Sequence, residues 1–389
     1  MTTVGKKEEK VNEIYVDHAA TSPVHPIVVE EMLPFFTEQF GNPSSIHRFG
    51  RQSRQALDKA RMMLANTIGA TPEELIFTSG GTEADNLAII GYAKRNKDKG
   101  KHIITSTLEH HAVLHSCKAL EELGFEVTYV PVNDEGEISV QDVVNEMRED
   151  TILVTIMYGN NEIGTIQPIA EIGAILKEKN IAFHTDAVQA YGIEQLDVNE
   201  LNVDFLSVSS HKINGPKGVG MLYARKGKHL LPSLFGGEQE RKRRAGTENV
   251  ASIVGFAKAA ELFDEQREEK RALYKQFQDR LLDIWSSEGV KYVRNGSSSN
   301  SLPHILNVSF EGVPVESLLV NLDLAGIAAS SGSACTAGTL QISHVLEAIS
   351  PNHEKNSSAI RFSFGYGNTL VQMETVGIET VKAIKRIQR

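Results

Sequence analysis

Leu75-Ile76-Phe77-Thr78-Ser79-Gly80-Gly81-Thr82-Glu83-Ala84-Asp85-Asn86-Leu87-Ala88 holds a short buried strand, a glycine turn and the start of a helix. Residues 75–77 are apolar and, with Thr78, read as a buried strand. After Gly80-Gly81-Thr82, small and apolar residues fall at Ala84, Leu87, Ala88, Gly91 and Tyr92. That is the i, i+3, i+4, i+7, i+8 stripe of a helix laid on a sheet. The rhythm repeats outward. Residues 102–106 read as a strand and 110–123 as a helix. Residues 152–156 are a strand, and Ile169, Ile172 and Leu176 mark a helix that stops near Asn180. Residues 181–184 and 204–208 are strands again. Strands separated by helices predict an α/β fold with a mostly parallel sheet covered on both faces.

Past about residue 258 the rhythm changes. Residues 261–285 predict one long charged helix, and 295–302, rich in Ser, Asn and Gly, a surface loop. A strand at 305–310, a helix at 315–324 and a helical tail at 376–387 follow. This half reads as a smaller α+β domain.

Composition bounds the class. The chain has 389 residues, 41% hydrophobic and 23% charged, which excludes a disordered or fibrous protein. Forty basic against fifty acidic residues give a net charge of −10, so no overall field recruits nucleic acid and no direct nucleic-acid binding is expected. Residues 1–10 are polar and lack the apolar centre of a signal peptide. No apolar run approaches the roughly 18 residues of a membrane span. The two cysteines, Cys117 and Cys335, make no disulfide framework. The expectation is a cytoplasmic protein with no membrane association.

In such sheets ligands bind at the carboxyl ends of strands. After Phe77, two glycines and Thr82 offer free helix N–H groups, an anion site, although such a motif alone more often reads as a tight turn with an N-cap at Thr82. After Phe183 comes Asp186, costly there without a cationic partner; it also reads as a cap. After Val208, Ser209-Ser210-His211-Lys212 places an amine at a strand end. Burial lowers the pKa of such a lysine and suits it to Schiff-base chemistry. Lys217 competes, but its Gly and Pro neighbours fit a turn better. Pyridoxal 5'-phosphate needs an amine, an acid for its pyridine nitrogen and an anion site. Lys212, Asp186 and Thr82 with Ser209 or His211 meet all three needs, and His110 is placed to stack on the ring. His111 and His115 lie at i, i+4, but no third ligand shares their spacing. They read as a helical face, and no metal centre is expected.

Cys335 sits in Ser330-Ser331-Gly332-Ser333-Ala334-Cys335-Thr336-Ala337-Gly338, small residues that predict an open, mobile loop with an accessible thiol. Cys117, on a helix, reads as structural. Arg361 lies in the apolar run 360–365. Its partner is either a substrate carboxylate or a buried structural acid. Arg241-Lys242-Arg243-Arg244 is a dense basic run that reads as a solvated loop, with docking of RNA or a partner as the second reading.

These motifs resemble the cysteine desulfurases among the class V aminotransferase-like enzymes. The matching segments are residues 16–21, 40–45, 78–86, 160–164, 184–189, 209–218, 244–247, 330–336 and 358–365, in family order over nearly the whole chain. The segment around Cys335 looks like the group I branch. The resemblance implies a fold-type I pyridoxal-phosphate-dependent transferase with a mostly parallel seven-stranded sheet. It implies a large cofactor domain at 22–258, and a small domain of 1–21 and 259–389 carrying the cysteine loop and Arg361. The protein would be a homodimer with active sites at the interface. By motif, Lys212 looks like the Schiff-base lysine, Asp186 the pyridinium partner and His110 the stacking and proton-handling histidine. Gln189 and Asn161 resemble contacts to the cofactor's phenolic oxygen. Thr82, Ser209 and His211 resemble phosphate ligands, with Thr247 reaching in from the partner subunit. Arg361, helped by Asn161, resembles the substrate-carboxylate clamp, and Cys335 the persulfide carrier.

The implied reaction converts L-cysteine to L-alanine and leaves a persulfide on Cys335 for a sulfur-acceptor protein. A related enzyme such as a selenocysteine lyase or aminotransferase is the alternative. The chain departs from the family pattern at His18, where Tyr is frequent, and at 336–342, which lacks the usual Ser-rich, Glu-Pro version. Members that feed iron–sulfur scaffolds often continue past the helix after which this chain ends at Arg389. The favoured acceptor is therefore a tRNA 2-thiouridylase, with iron–sulfur assembly as the second.

Overall fold

The structure is a computed structural model that describes residues 13–331 and 342–389; Cys335 lies outside the described residues. The described chain enters on a two-residue strand, β1 (Ile14–Tyr15). It then builds a central sheet from β2 (Leu75–Thr78), β3 (His102–Ser106), β4 (Glu126–Val130), β5 (Thr151–Thr155), β6 (Ala182–Asp186), β7 (Phe205–Ser209) and β8 (Gly220–Ala224). The order across this sheet is β2-β8-β7-β6-β5-β3-β4. The pairs from β7 to β4 are parallel, whereas β8 runs antiparallel to both β7 and β2. Two reversals cancel, so β2 points the same way as β3, β5, β6 and β7. With β4, parallel to β3, six strands therefore end on one edge.

Successive side chains on a strand point to opposite faces, and here both faces are apolar. Leu75, Ile104, Val154, Phe183, Leu206 and Met221 enter one layer. Their neighbours Ile76, Ile103, Leu153, Ala182, Phe205 and Leu222 enter the other. The second layer is closed by helices Gly81–Asn96 and His111–Glu122. Cys117 is buried in this layer, and burial raises its thiol pKa far above the ordinary range, as a structural cysteine requires.

The remaining strands are β9 (Tyr292–Asn295), β10 (Ile305–Phe310), β11 (Ile327–Ala328) and β12 (Ala359–Ser363). β10 lies between β9 and β12 in an antiparallel sheet, and β1 pairs in parallel with β11. The fully buried Trp285 packs edge-on against Phe310 at 5.1 Å between centroids.

Two expectations change. The single helix over 261–285 is two helices, Val250–Glu265 and Arg267–Ser287, broken at Gln266. The first packs on helix Arg48–Asn66 and the second on helix Leu370–Ile387. Different partners need different buried stripes, and one straight helix cannot present both. The basic run is also no freely solvated loop. Arg241 pairs with Glu73 at 3.2 Å, Lys242 with Glu238 at 2.9 Å and Arg244 with Glu83 at 2.8 Å. Arg243 donates to the Glu73 and Leu75 carbonyls. Arg241 and Lys242 stay exposed to solvent in these pairs, whereas Arg243 and Arg244 are half-buried. No helix among the described residues is long and apolar enough to cross a membrane.

Candidate active site

β7 ends at Ser209 and gives way to one 3-10 turn, Ser210–Lys212. The turn closes tightly because residue 215 is glycine: a Cβ there would lie 2.0 Å from Ser210 Oγ. The turn sends the Lys212 amine back across the sheet edge. Its Nζ donates to the Ala19 carbonyl at 2.6 Å and the Ala20 carbonyl at 2.8 Å. Burial and then the positive Arg361 lower its pKa to about 8, against the opposing pull of Asp17 and Asp186.

Asp186 closes β6. Its Oδ1 accepts the Val188 N–H at 2.9 Å. Burial raises its pKa to about 6, with Val188 and Lys212 pulling it down. Beside it lies Asp85, buried on helix Gly81–Asn96. Burial, and then the Asp186 charge, raise the Asp85 pKa well above the carboxylate range. Two carboxyls this close do not both ionise readily. The nearby Lys212 cation favours placing the charge on Asp186.

His110 is the N-cap of helix His111–Glu122, and its Nδ1 accepts the Ala112 N–H at 3.1 Å. Burial and then the Lys212 charge lower its pKa to about 4. The ring is neutral at physiological pH, and its proton therefore sits on Nε2.

Helix Gly81–Asn96 points its first turn at the same place. Gly81 approaches the segment just after β6 so closely that a Cβ would meet Val188 Cγ2 at 2.7 Å. Ser209 and His211 flank this corner. Burial and then Lys212 lower the His211 pKa to about 4, so it faces an anion as a neutral donor or acceptor. Helix N–H groups with two hydroxyls make an anion corner.

Arg361, on β12, is buried. Its Nη2 meets Asp17 at 2.7 Å, its Nη1 donates to the Asn161 carbonyl at 2.8 Å, and its Nε has no partner. Of the two readings of this arginine, the structural ion pair is present. Gln189 donates to the Ala19 carbonyl at 2.9 Å and meets buried His304 at 3.3 Å.

Thr82, His110, Asn161, Asp186, Gln189, Ser209, His211, Lys212 and Arg361 therefore line one cavity of about 340 Å³, a volume suited to a small molecule. A larger hollow of about 920 Å³ beside Tyr92 and Arg148 lies away from these strand ends. Thr247 is exposed just before helix Val250–Glu265 and does not line the cavity of its own chain. Asp85, Asp17 and His304 were not foreseen. Asp85 carried a signal, because it lies on the apolar stripe of its helix, four residues after Gly81. Asp17 and His304 reach the site only through tertiary packing.

A fold and cavity of this kind define a class. The chain belongs to the Aminotransferase class-V family, which it matches over residues 14–376. Within that family it stands with the cysteine desulfurases. A Bacillus subtilis (strain 168) protein provisionally named cysteine desulfurase IscS 1 is 56% identical over 375 residues, 96% of this chain and 99% of that one. A solved NifS-like protein superposes with a TM-score of 0.91 at 36% identity, covering 96% of this chain and 100% of the other. A structure described as SspA in complex with cysteine gives 0.81 at 37% identity, covering 90% and 98%.

Proposed function

We propose that this protein is a pyridoxal-5'-phosphate-dependent cysteine desulfurase that converts L-cysteine to L-alanine and carries the released sulfur as a persulfide on Cys335. The carrying observation is the convergence of the Lys212 amine, the Asp186 carboxylate and the first turn of helix Gly81–Asn96 in one cavity. Those three groups are what the cofactor's aldehyde, pyridine nitrogen and phosphate each require, so the residues fit it. When bound, the cofactor supplies an electron sink for bonds at the substrate's α-carbon.

The chain's own groups do the rest. Lys212 would hold the cofactor's aldehyde through its amine, and the same amine is placed to take the substrate's α-proton. Asp186 would pair with the pyridine nitrogen and favour its protonated form. Thr82, Ser209 and His211 take the phosphate, with Thr247 of a second subunit completing it in a homodimer. Gln189 and Asn161 would hold the phenolic oxygen, and His110 would supply a proton from its Nε2 at the same cavity. The Cys335 thiolate attacks the substrate sulfur. A sulfur–sulfur bond forms and the carbon–sulfur bond breaks. Its electron pair stays with the carbon fragment, which gains a proton and leaves as alanine. The persulfide then passes to an acceptor protein in the cytoplasm, a tRNA 2-thiouridylase first and an iron–sulfur scaffold second. Offering each acceptor separately to enzyme loaded from sulfur-labelled cysteine distinguishes them. Transfer to neither removes this part of the reading.

The pKa of Lys212 gives a pH expectation. Only the neutral amine attacks an aldehyde, and burial brings its pKa down to about 8. Capture of pyridoxal phosphate by the apoprotein should therefore accelerate with pH, reach half its maximum near 8 and level off above. Stopped-flow absorbance measures it. A rate still climbing steeply at pH 10 would mean that the amine is not desolvated.

Arg361 presents its unpartnered Nε and adjacent Nη2 as a fork, with Asp17 now on Nη2. A substrate carboxylate can take this edge. Arg361→Lys keeps the charge but loses the fork, and should raise KM for cysteine by about tenfold or more with a smaller change in kcat. An unchanged KM would leave Arg361 as a purely structural partner of Asp17.

A further inference from the structure

His111 and His115 lie four residues apart on one helix, and the fold brings a third imidazole to them. His344, the first residue of helix His344–Ile349, sits with its ring centroid 5.0 Å from that of His111. His111 and His115 are 5.3 Å apart. Three imidazoles that bind one tetrahedral zinc ion through nitrogens about 2.0–2.1 Å away have ring centres roughly 5 Å apart. The two measured spacings match that geometry.

His344 is already oriented. Its Nε2 lies 3.0 Å from the Glu109 carbonyl, which can only accept, so Nε2 carries the proton and Nδ1 is a bare lone pair. A backbone carbonyl on the far nitrogen is the support that metal-bound histidines commonly have. His111 and His115 are exposed and stack with 25° between planes. Their χ2 torsions are broad, so both rings can turn a nitrogen toward a common point. Glu162 is buried with an unpartnered Oε2, close enough for its charge to act on His111.

We propose that His111, His115 and His344 form a binding site for a divalent cation of the zinc class. Imidazole ligands favour such an ion over magnesium or calcium. The site is separate from the cofactor cavity, since none of the three histidines lines it. A bound ion ties the first turn of helix His111–Glu122, whose cap is His110, to helix His344–Ile349.

The test uses cofactor-loaded enzyme carrying Cys335→Ser, which removes a competing thiol, and titrates it with zinc chloride by calorimetry. One zinc per chain is expected, with a melting temperature that rises as zinc is added, and no uptake of magnesium. His111→Ala, His115→Ala and His344→Ala should each weaken zinc binding by about tenfold or more, whereas His229→Ala, an exposed histidine outside the cluster, should not. His111 and His115 are exposed, so their variants carry the test even if His344→Ala fails to fold. No zinc uptake by the parent, or uptake unchanged in His111→Ala and His115→Ala, overturns the site. Neither result bears on desulfuration, because the readout is binding.

Discussion

Cys335→Ala is expected to bind the cofactor normally and to transfer no sulfur. The thiolate is the group assigned to accept sulfur from the substrate, and among the described residues lining the cavity there is no other thiol. Removing a covalent nucleophile typically costs orders of magnitude in rate; here alanine formation without reductant should fall at least about 10³-fold. The visible absorption of the bound cofactor should persist, because Lys212, Asp186 and the anion corner are untouched. Paired measurements of alanine and absorbance separate loss of sulfur transfer from loss of fold. A variant that turned cysteine into alanine and sulfide at the parent rate would show that the thiol is not the carrier. It would favour a lyase or aminotransferase instead.

The second large effect belongs to Lys212. Lys212→Ala removes both the cofactor anchor and the base for the α-proton, and acid–base catalysis alone contributes about 10²–10⁴. Turnover should drop at least about 10³-fold, and the purified protein should lose the visible absorption of lysine-bound pyridoxal. Lys212→Arg should fail equally, because an arginine keeps charge but is no nucleophile. Lys217→Ala serves as the control. Lys217 is exposed and does not line the cavity, so colour and turnover should stay near parent values. Loss of both in Lys217→Ala, with Lys212→Ala intact, would reverse the assignment.

The parts of this molecule legible in the sequence are those written locally. β2 and helix Gly81–Asn96 follow from one apolar run, two glycines and a 3.6-residue stripe. Lys212, Asp186 and Thr82 stand out because each follows such a run, and strand ends of a parallel sheet share an edge. Periodicity alone left β4 and β8 unmarked. β4 is an edge strand with Glu126, Thr128 and Tyr129 along it, so its apolar signal is diluted. β8 hides behind a Gly and Pro turn and runs against its neighbours, yet it is the strand that turns β2 the right way. The break at Gln266 was hidden because both helices read as continuous periodic sequence. Asp17 beside Arg361, His304 behind Gln189 and His344 against His111 all join residues more than 100 positions apart. No spacing rule reaches that far.

The central claim is that substrate sulfur moves onto one thiol while the carbon skeleton leaves as alanine. Mass spectrometry of enzyme mixed with cysteine in the absence of reductant tests it most directly. The account predicts that the peptide containing Cys335 gains the mass of one sulfur atom, in step with one alanine released per chain, and that the Cys117 peptide does not change. Alanine released with no added sulfur on the Cys335 peptide would contradict it.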